Sequence, residues 1–299
     1  MDINRNSLES LFKGFNMQFQ SGLDMAPDGW QKFAGLVNST TATNVYPFIE
    51  QFGGMREWFG DRQIKNLAGH KIEVANRDFE DTVSVKRNDI EDDQYGIYGT
   101  LIAQMGQNAG KLWQELTVEA LTGSDSWFDD VAFFDTSRTY GDNTICNSTG
   151  SALSETTFNT AYQTMLEYKG HNSKHLGVVP NLLIVGPKMR TTAWNIIKNE
   201  FTYDDTDKVQ VLNVNKDVCD LLVLPELSGD YDDYWFLACS SGALKPVIVQ
   251  QRRLPKLTRL DRETDENVFK RNEYVYGTDA RGSAFLSMPH LIYRGGTSA

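Results

Sequence analysis

Two histidines four residues apart, His171 and His175, would share one face of a helix and could hold a zinc ion through their imidazoles. Gly170, Asn172, Ser173 and Gly177 surround them, so the segment reads as a loop, and no nearby third ligand completes a site. The run Gly186-Pro187-Lys188-Met189-Arg190-Thr191-Thr192 follows an apolar strand and opens a helix, where a phosphate cradle would sit. It lacks the glycine and lysine spacing of such a cradle, and Pro187 removes one of the amides that would bind phosphate. It reads as a plain strand-to-helix turn. No Gly-x-Ser-x-Gly elbow raises a serine nucleophile, and none of Cys146, Cys219 and Cys239 has a histidine close by in sequence. Paired acids at Asp92-Asp93, Asp129-Asp130, Asp204-Asp205 and Asp232-Asp233 could take a divalent cation. None shows the alternating oxygen ligands of a calcium loop, and they read as solvated loop tips. A basic cluster, Arg252, Arg253, Lys256, Arg259 and Arg262, could face nucleic acid. No aromatic residue interleaves with it, so it is no base-stacking platform. Acids at Asp261, Glu263, Asp265 and Glu266 make ion pairing at an interface the better reading. The expectation is therefore no catalytic residue, no metal and no cofactor.

Composition points the same way. The net charge of -11 disfavours a protein that seeks DNA, because such proteins gain affinity by neutralising phosphates with Lys and Arg. Hydrophobic residues at 40% and charged residues at 23% are ordinary globular values. Three cysteines, an odd number with no Cys-x-x-Cys, suit a reduced compartment. The polar start from Met1 to Asn6 has no signal-peptide core, and no apolar run approaches the ~20 residues of a membrane span.

The elements that would carry these residues alternate in type. Leu8, Leu11, Phe12, Phe15 and Phe19 form one helical stripe, begun by Asn6 and Glu9. A polar stretch from Ser21 to Pro47 reads as an arm. Ile72 and Val74, then Val83 and Val85, alternate with polar neighbours, which predicts a long polar hairpin turning at Asn76-Arg77-Asp78. Neither the first helix nor this hairpin has apolar partners of its own, so both are expected to be buried by neighbouring subunits. Gln94 to Thr122 reads as the longest helix, with Ile97, Leu101, Met105, Leu112, Leu116 and Ala120 as one stripe and Ile102, Ala109 and Trp113 beside it, while Gly99, Gly106 and Gly110 weaken its regularity. From Tyr98 to Leu121 it would span ~36 Å. Ser154 caps a helix with Phe158, Ala161, Tyr162, Met165 and Leu166 inward, closed by Gly170. Leu182 to Val185 is a buried strand, and a helix follows through Trp194, Ile196 and Ile197. Further strands are expected at Val209–Val214, Leu221–Leu224, Tyr234–Cys239 and Val247–Gln250, with strand-like alternation again from Leu254 to Tyr293.

Several blocks resemble one known family. Phe52-Gly53-Gly54-Met55-Arg56-Glu57-Trp58-Phe59-Gly60-Asp61-Arg62 is similar to a segment of the Mu-like prophage major head subunit family. The similarity continues through Asn76 to Val85, Arg87 to Asp93, Gly96-Ile97-Tyr98, Gln104-Met105-Gly106 and Phe133-Phe134-Asp135. Upstream, Leu11 to Phe15 and Phe19 to Leu23 match the family's opening. These blocks cover most of residues 8–136, and the second half is similar in element order and closing strands.

The resemblance implies an α+β fold of the Hong Kong 97 type, with an N-terminal arm, an extended hairpin loop, a peripheral domain with a long spine helix, and an axial domain. On this mapping residues 1–54 are the arm, 55–93 the extended loop and 94–150 the peripheral domain with its spine. Residues 151–250 are the axial domain and 251–299 the closing strands of the peripheral domain. The implied function is that of a major capsid protein of a phage head, assembled in the bacterial host cytoplasm and ending in the virion. Implied partners are further copies of the chain in hexamers and pentamers, a separate scaffold or protease, a portal protein and packaged double-stranded DNA, with no membrane. Expected inter-subunit contacts are Arg56, Trp58, Arg62, Arg77, Asp78, Phe79, Lys86, Arg87 and Glu91. The mixture of both charge signs on this segment would set register across a subunit boundary. Two alternatives stay open: an encapsulin-like compartment shell with the same fold, and an α/β enzyme built on 151–250.

Overall fold

The computed structural model describes residues 5–47, 71–92, 96–140, 143–170, 173–203, 209–262 and 264–298. The chain opens with α1 (Arg5–Asp24), β1 (Ala34–Asn38) and β2 (Thr43–Pro47). After residues outside the described set come β3 (Lys71–Ala75), β4 (Arg77–Lys86), α2 (Arg87–Glu91) and the 26-residue α3 (Ile97–Thr122). Short strands β5 (Arg138–Tyr140), β6 (Asn143–Ile145) and β7 (Ser148–Thr149) lead to α4 (Glu155–Leu166), β8 (Leu182–Val185) and α5 (Arg190–Ile197). Then follow β9 (Phe201–Tyr203), β10 (Gln210–Leu212), β11 (Asp220–Val223) and β12 (Trp235–Ala238). Two 14-residue strands, β13 (Val247–Leu260) and β14 (Glu273–Leu286), flank α6 (Glu266–Arg271), and β15 (Ile292–Gly295) closes the chain.

Two sheets organise these elements. The first has the order β1-β13-β14-β4, with β1 parallel to β13 and the rest antiparallel. The second is mixed, in the order β11-β8-β12-β15-β7. Its central strands Leu182–Val185 and Trp235–Ala238 are buried along their whole length, as their continuous apolar runs require of strands covered on both faces. The last strand, β15, leaves the first sheet's chain neighbourhood and pairs with β12 and β7 in the second. Ser154 accepts from the Thr157 N–H while Thr157 Oγ1 accepts from the Ser154 N–H, a reciprocal cap that starts α4 where expected. Phe158, Ala161 and Met165 then face the core.

Three expectations are corrected. There is no turn at Asn76-Arg77-Asp78: β3 pairs with β2, while β4 pairs with β14, so one residue separates strands of different sheets. A hairpin does exist, but its arms are β2 and β3. The first helix is not left for a neighbour either. Leu8, Phe15 and Phe19 are buried with Ile102, Met105, Leu257, Tyr274 and Tyr276 of the same chain. The backbones of α1 and α3 meet at glycines, for a Cβ on Gly22 would stand 1.9 Å from the Ala103 carbonyl oxygen and one on Gly106 2.2 Å from that of Phe19. This close approach turns the inner face of α3, so Ile102, Met105 and Trp113 are buried while Ile97 and Leu101 are half-exposed. Hence Ile97 and Leu101 lie outside the inner stripe that periodicity assigned them to.

Candidate assembly surfaces

Several of the groups that could do chemistry are taken up in structure. Gly186 packs against the Leu227 carbonyl, where a Cβ would come within 2.0 Å, and Pro187 opens a single 3-10 turn. Lys188 of that turn pairs with Asp233 at 3.0 Å and with Asp232 at 3.9 Å, which joins the false phosphate turn to one of the acid pairs. Asp129, from another pair, holds the guanidinium of Arg138. His175 lies in an isolated bridge to Lys169, and His171, His70, Asp93 and Asp204-Asp205 lie outside the described residues. Among the described residues no group of three His, Cys, Asp or Glu side chains could hold a metal ion. Burial pushes the Cys219 thiol up to about 12, so it stays protonated and unreactive. Among the described residues no helix is long and apolar enough to cross a membrane.

Arg138 gave no signal in sequence, yet it organises a whole loop. Its side chain is 1% exposed. It donates to the Ala132 carbonyl at 2.5 Å and lies 5.2 Å from the Trp127 ring centroid. Asn147, also fully buried, donates to the Phe133 and Pro289 carbonyls and ties that loop to the second sheet.

Three residues of the basic cluster, Arg252, Arg253 and Arg259, engage in-chain partners. Arg252 donates to the Ser39 carbonyl at 3.2 Å, and Arg253 pairs with Asp279. Arg259 bonds Asp261 at 3.2 Å and the Leu8 carbonyl at 3.1 Å, and lies over the Phe12 ring, so it clamps α1. Burial raises the Asp261 carboxyl above its ordinary value, against the opposing pull of Arg259.

The expected contact residues fall into two sets. Arg56, Trp58 and Arg62 lie outside the described residues. Arg77, Asp78, Phe79 and Lys86 lie on β4, the edge strand of the first sheet among the described residues, and Arg87 and Glu91 begin and end α2 beside it. Arg77 reaches Glu119 of α3 at 2.7 Å and covers the Phe79 ring, and Asp78 pairs with Arg281 at 3.1 Å. Lys86 is exposed. Between β4 and α3 runs a groove of about 380 Å³ lined by Val83, Val85, Tyr98, Leu101 and Met105. Among the described residues the ten-residue β4 pairs along one edge only, with β14, and the groove between it and α3 is largely apolar.

A long helix crossing a four-stranded sheet, a two-stranded ribbon leaving that sheet, and a second mixed sheet make a capsid subunit of the Hong Kong 97 type. The subunit in the procapsid of bacteriophage JBD30 is similar over 99% of this chain and 77% of its own, with a TM-score of 0.62 and 27% identity. In sequence the chain is 28% identical over 290 residues to the Mu-like prophage FluMu major head subunit of Haemophilus influenzae, which is 95% of this chain and 72% of that one. It is 28% identical over 280 residues to the major capsid protein of Escherichia phage Mu, covering 93% and 70%. Residues 8–152, 144–227 and 226–297 match the family described as Mu-like prophage major head subunit gpT, and the chain belongs to that family. It is a phage major head protein, a subunit of the shell.

Proposed function

We propose that copies of this chain join, through non-covalent contacts, into the hexamers and pentamers of an icosahedral head around phage double-stranded DNA. The β2–β3 ribbon and the β4 edge with its groove serve as the principal contact surfaces. The β4 edge, unpaired among the described residues, carries this reading. Its exposed residues Arg77, Asp78, Glu80, Asp81 and Lys86 mix both signs, and the groove beside it is apolar. Charges of both signs around an apolar strip fix register and reject wrong partners. On this reading the extended loop begins and ends with β2 and β3, the first sheet with α1 and α3 is the peripheral domain, and the second sheet is the axial domain. Scaffold, protease and portal proteins are proposed as further partners, and contacts with DNA are not sequence-specific.

Electron microscopy of the purified protein, alone and co-expressed with a scaffold, tests the proposal. Closed shells, tubes or capsomer rings are expected. Strictly monomeric behaviour in both conditions would overturn it.

A further inference from the structure

We infer that Gln250 and the polar groups it joins set the direction in which the β2–β3 ribbon leaves the subunit, and thereby the curvature of the assembled shell. The second half rests on the proposal that the ribbon contacts a neighbouring copy.

Gln250 is a primary amide in a strand that otherwise begins Val247-Ile248-Val249, and it is fully buried. Burying an amide costs free energy unless every polar atom finds a partner. Here each does, and the partners lie on both arms of the ribbon and at its junction with the first sheet. Tyr46 Oη of β2 donates to Gln250 Oε1 at 2.7 Å. Gln250 Nε2 donates to Asn76 Oδ1 at 2.7 Å and to the Val74 carbonyl of β3 at 3.3 Å. One side chain on β13 thus holds both arms of the ribbon.

Asn76 extends the tie. It is the single residue between β3 and β4, where the chain passes from ribbon to sheet. Its N–H donates to the Ala42 carbonyl at 2.9 Å, and its Nδ2 donates to Ser39 Oγ at 2.9 Å and to the Thr41 carbonyl at 2.8 Å. Ser39 Oγ and Thr41 Oγ1 in turn lie 2.9 Å and 2.6 Å from Asn44 Oδ1. The Tyr46 ring rests on Phe285 of β14, centroids 4.7 Å apart.

Apolar packing also holds the ribbon, with Tyr46 and Ile72 against the core and Val74 buried, but it is interrupted. A groove of about 360 Å³ lies between Ile72, Val74 and Ala75 on one side and Trp127, Phe133 and Phe285 on the other. Hydrophobic contact is non-directional and would tolerate rocking over such a space. Hydrogen bonds have narrow angular limits, and a fully satisfied buried network fixes one arrangement. The angle of the ribbon on the subunit is therefore held by the network.

The test uses the full chain with two variants. Gln250→Met keeps the length of the side chain and removes its polar atoms; Tyr46→Phe removes one oxygen and keeps the ring on Phe285. In unassembled subunits, hydrogen exchange at 43–47 and 71–75 is expected to quicken by about tenfold or more, the loss of one or two hydrogen bonds. Exchange in β8 and β12 should be unchanged. In assembly, both variants should give shells of mixed diameter or open sheets where the wild type gives uniform particles. Unchanged exchange in the ribbon would overturn the inference, as would global unfolding of even the Tyr46→Phe chain. Faster exchange with uniform particles would overturn the second half alone, and absence of any assembly by the wild type would instead count against the proposed function.

Discussion

At the scale of single residues, His290 offers a measurable consequence of burial. Burial holds its imidazole down to about 4, below the ordinary value of 6.5, so it is neutral in the folded chain. The unfolded chain takes up a proton that the folded one refuses. The contribution of His290 is thus complete above about pH 6.5 and is lost as the pH falls towards 4, by roughly 2 kcal/mol at pH 5. Asp261 acts with the opposite sign, since its raised carboxyl is protonated more readily in the fold. Urea unfolding of unassembled subunits should show a steeper loss between pH 7 and 5 for the wild type than for His290→Gln; equal slopes would contradict this. Gly106 gives a second case. Valine there would collide with the Phe19 backbone and drive α1 from α3, and Gly106→Val is expected to cost at least about 2–3 kcal/mol in denaturant unfolding. By itself a glycine inside a helix only weakens it. Its use becomes visible once α1 is laid against it, and nothing local announces that partner. Arg138 was hidden for the same reason: an arginine in a polar loop gives no sign of being buried.

At the scale of elements, what could be read from sequence depended on whether the signal was local. Ser154 with Phe158, Ala161 and Met165 announces α4, and Leu182–Val185 announces a covered strand, because cap and run are both contiguous. The ribbon was misjudged because Asn76-Arg77-Asp78 has turn-like composition, while the true partner of β3, Thr43–Pro47, lies across a long gap and is mostly polar. None of the three adopts the positive φ that tight hairpin turns favour. The packing of α1 reverses what its isolated stripe suggested. Three buried side chains, Leu8, Phe15 and Phe19, contribute about 1.5–3 kcal/mol each, a large part of a typical domain's stability. Deleting residues 1–21 is therefore expected to abolish cooperative unfolding in calorimetry; a sharp transition near the wild-type temperature would show that α1 is dispensable. On β4 the expectation differs. The Arg77–Glu119 pair is exposed on both sides, and such pairs contribute about 0–1 kcal/mol. Arg77→Glu with Arg87→Glu should leave the subunit folded, with a thermal midpoint within a few degrees, and should impair shell formation seen by electron microscopy. Normal shells from the double variant would mean that these charges are merely solvated.

For the whole molecule, the shell reading came from contiguous blocks of similarity in residues 8–136, and the negative reading of the chemistry came from spacing. Both are local properties, legible without knowledge of the fold, and the family match bears out the first. The way contacts are shared among copies is not local, and it is open to direct test. Lys71 of the ribbon is engaged with Glu73 of the same strand at 2.5 Å. Assembled shells are expected to dissolve in hot detergent to single-chain bands on a denaturing gel, and a ladder of covalent oligomers would refute non-covalent assembly. The strand order of the first sheet has a consequence in time. β1 waits for β13, and β4, which ends at Lys86, waits for β14, which begins at Glu273. At the usual pace of synthesis that interval is on the order of ten to forty seconds. During it the N-terminal third has been made and its sheet cannot close. Until β14 has been made, β4 lacks the strand it pairs with, and Leu8, Phe15 and Phe19 lack Tyr274 and Tyr276 as packing partners.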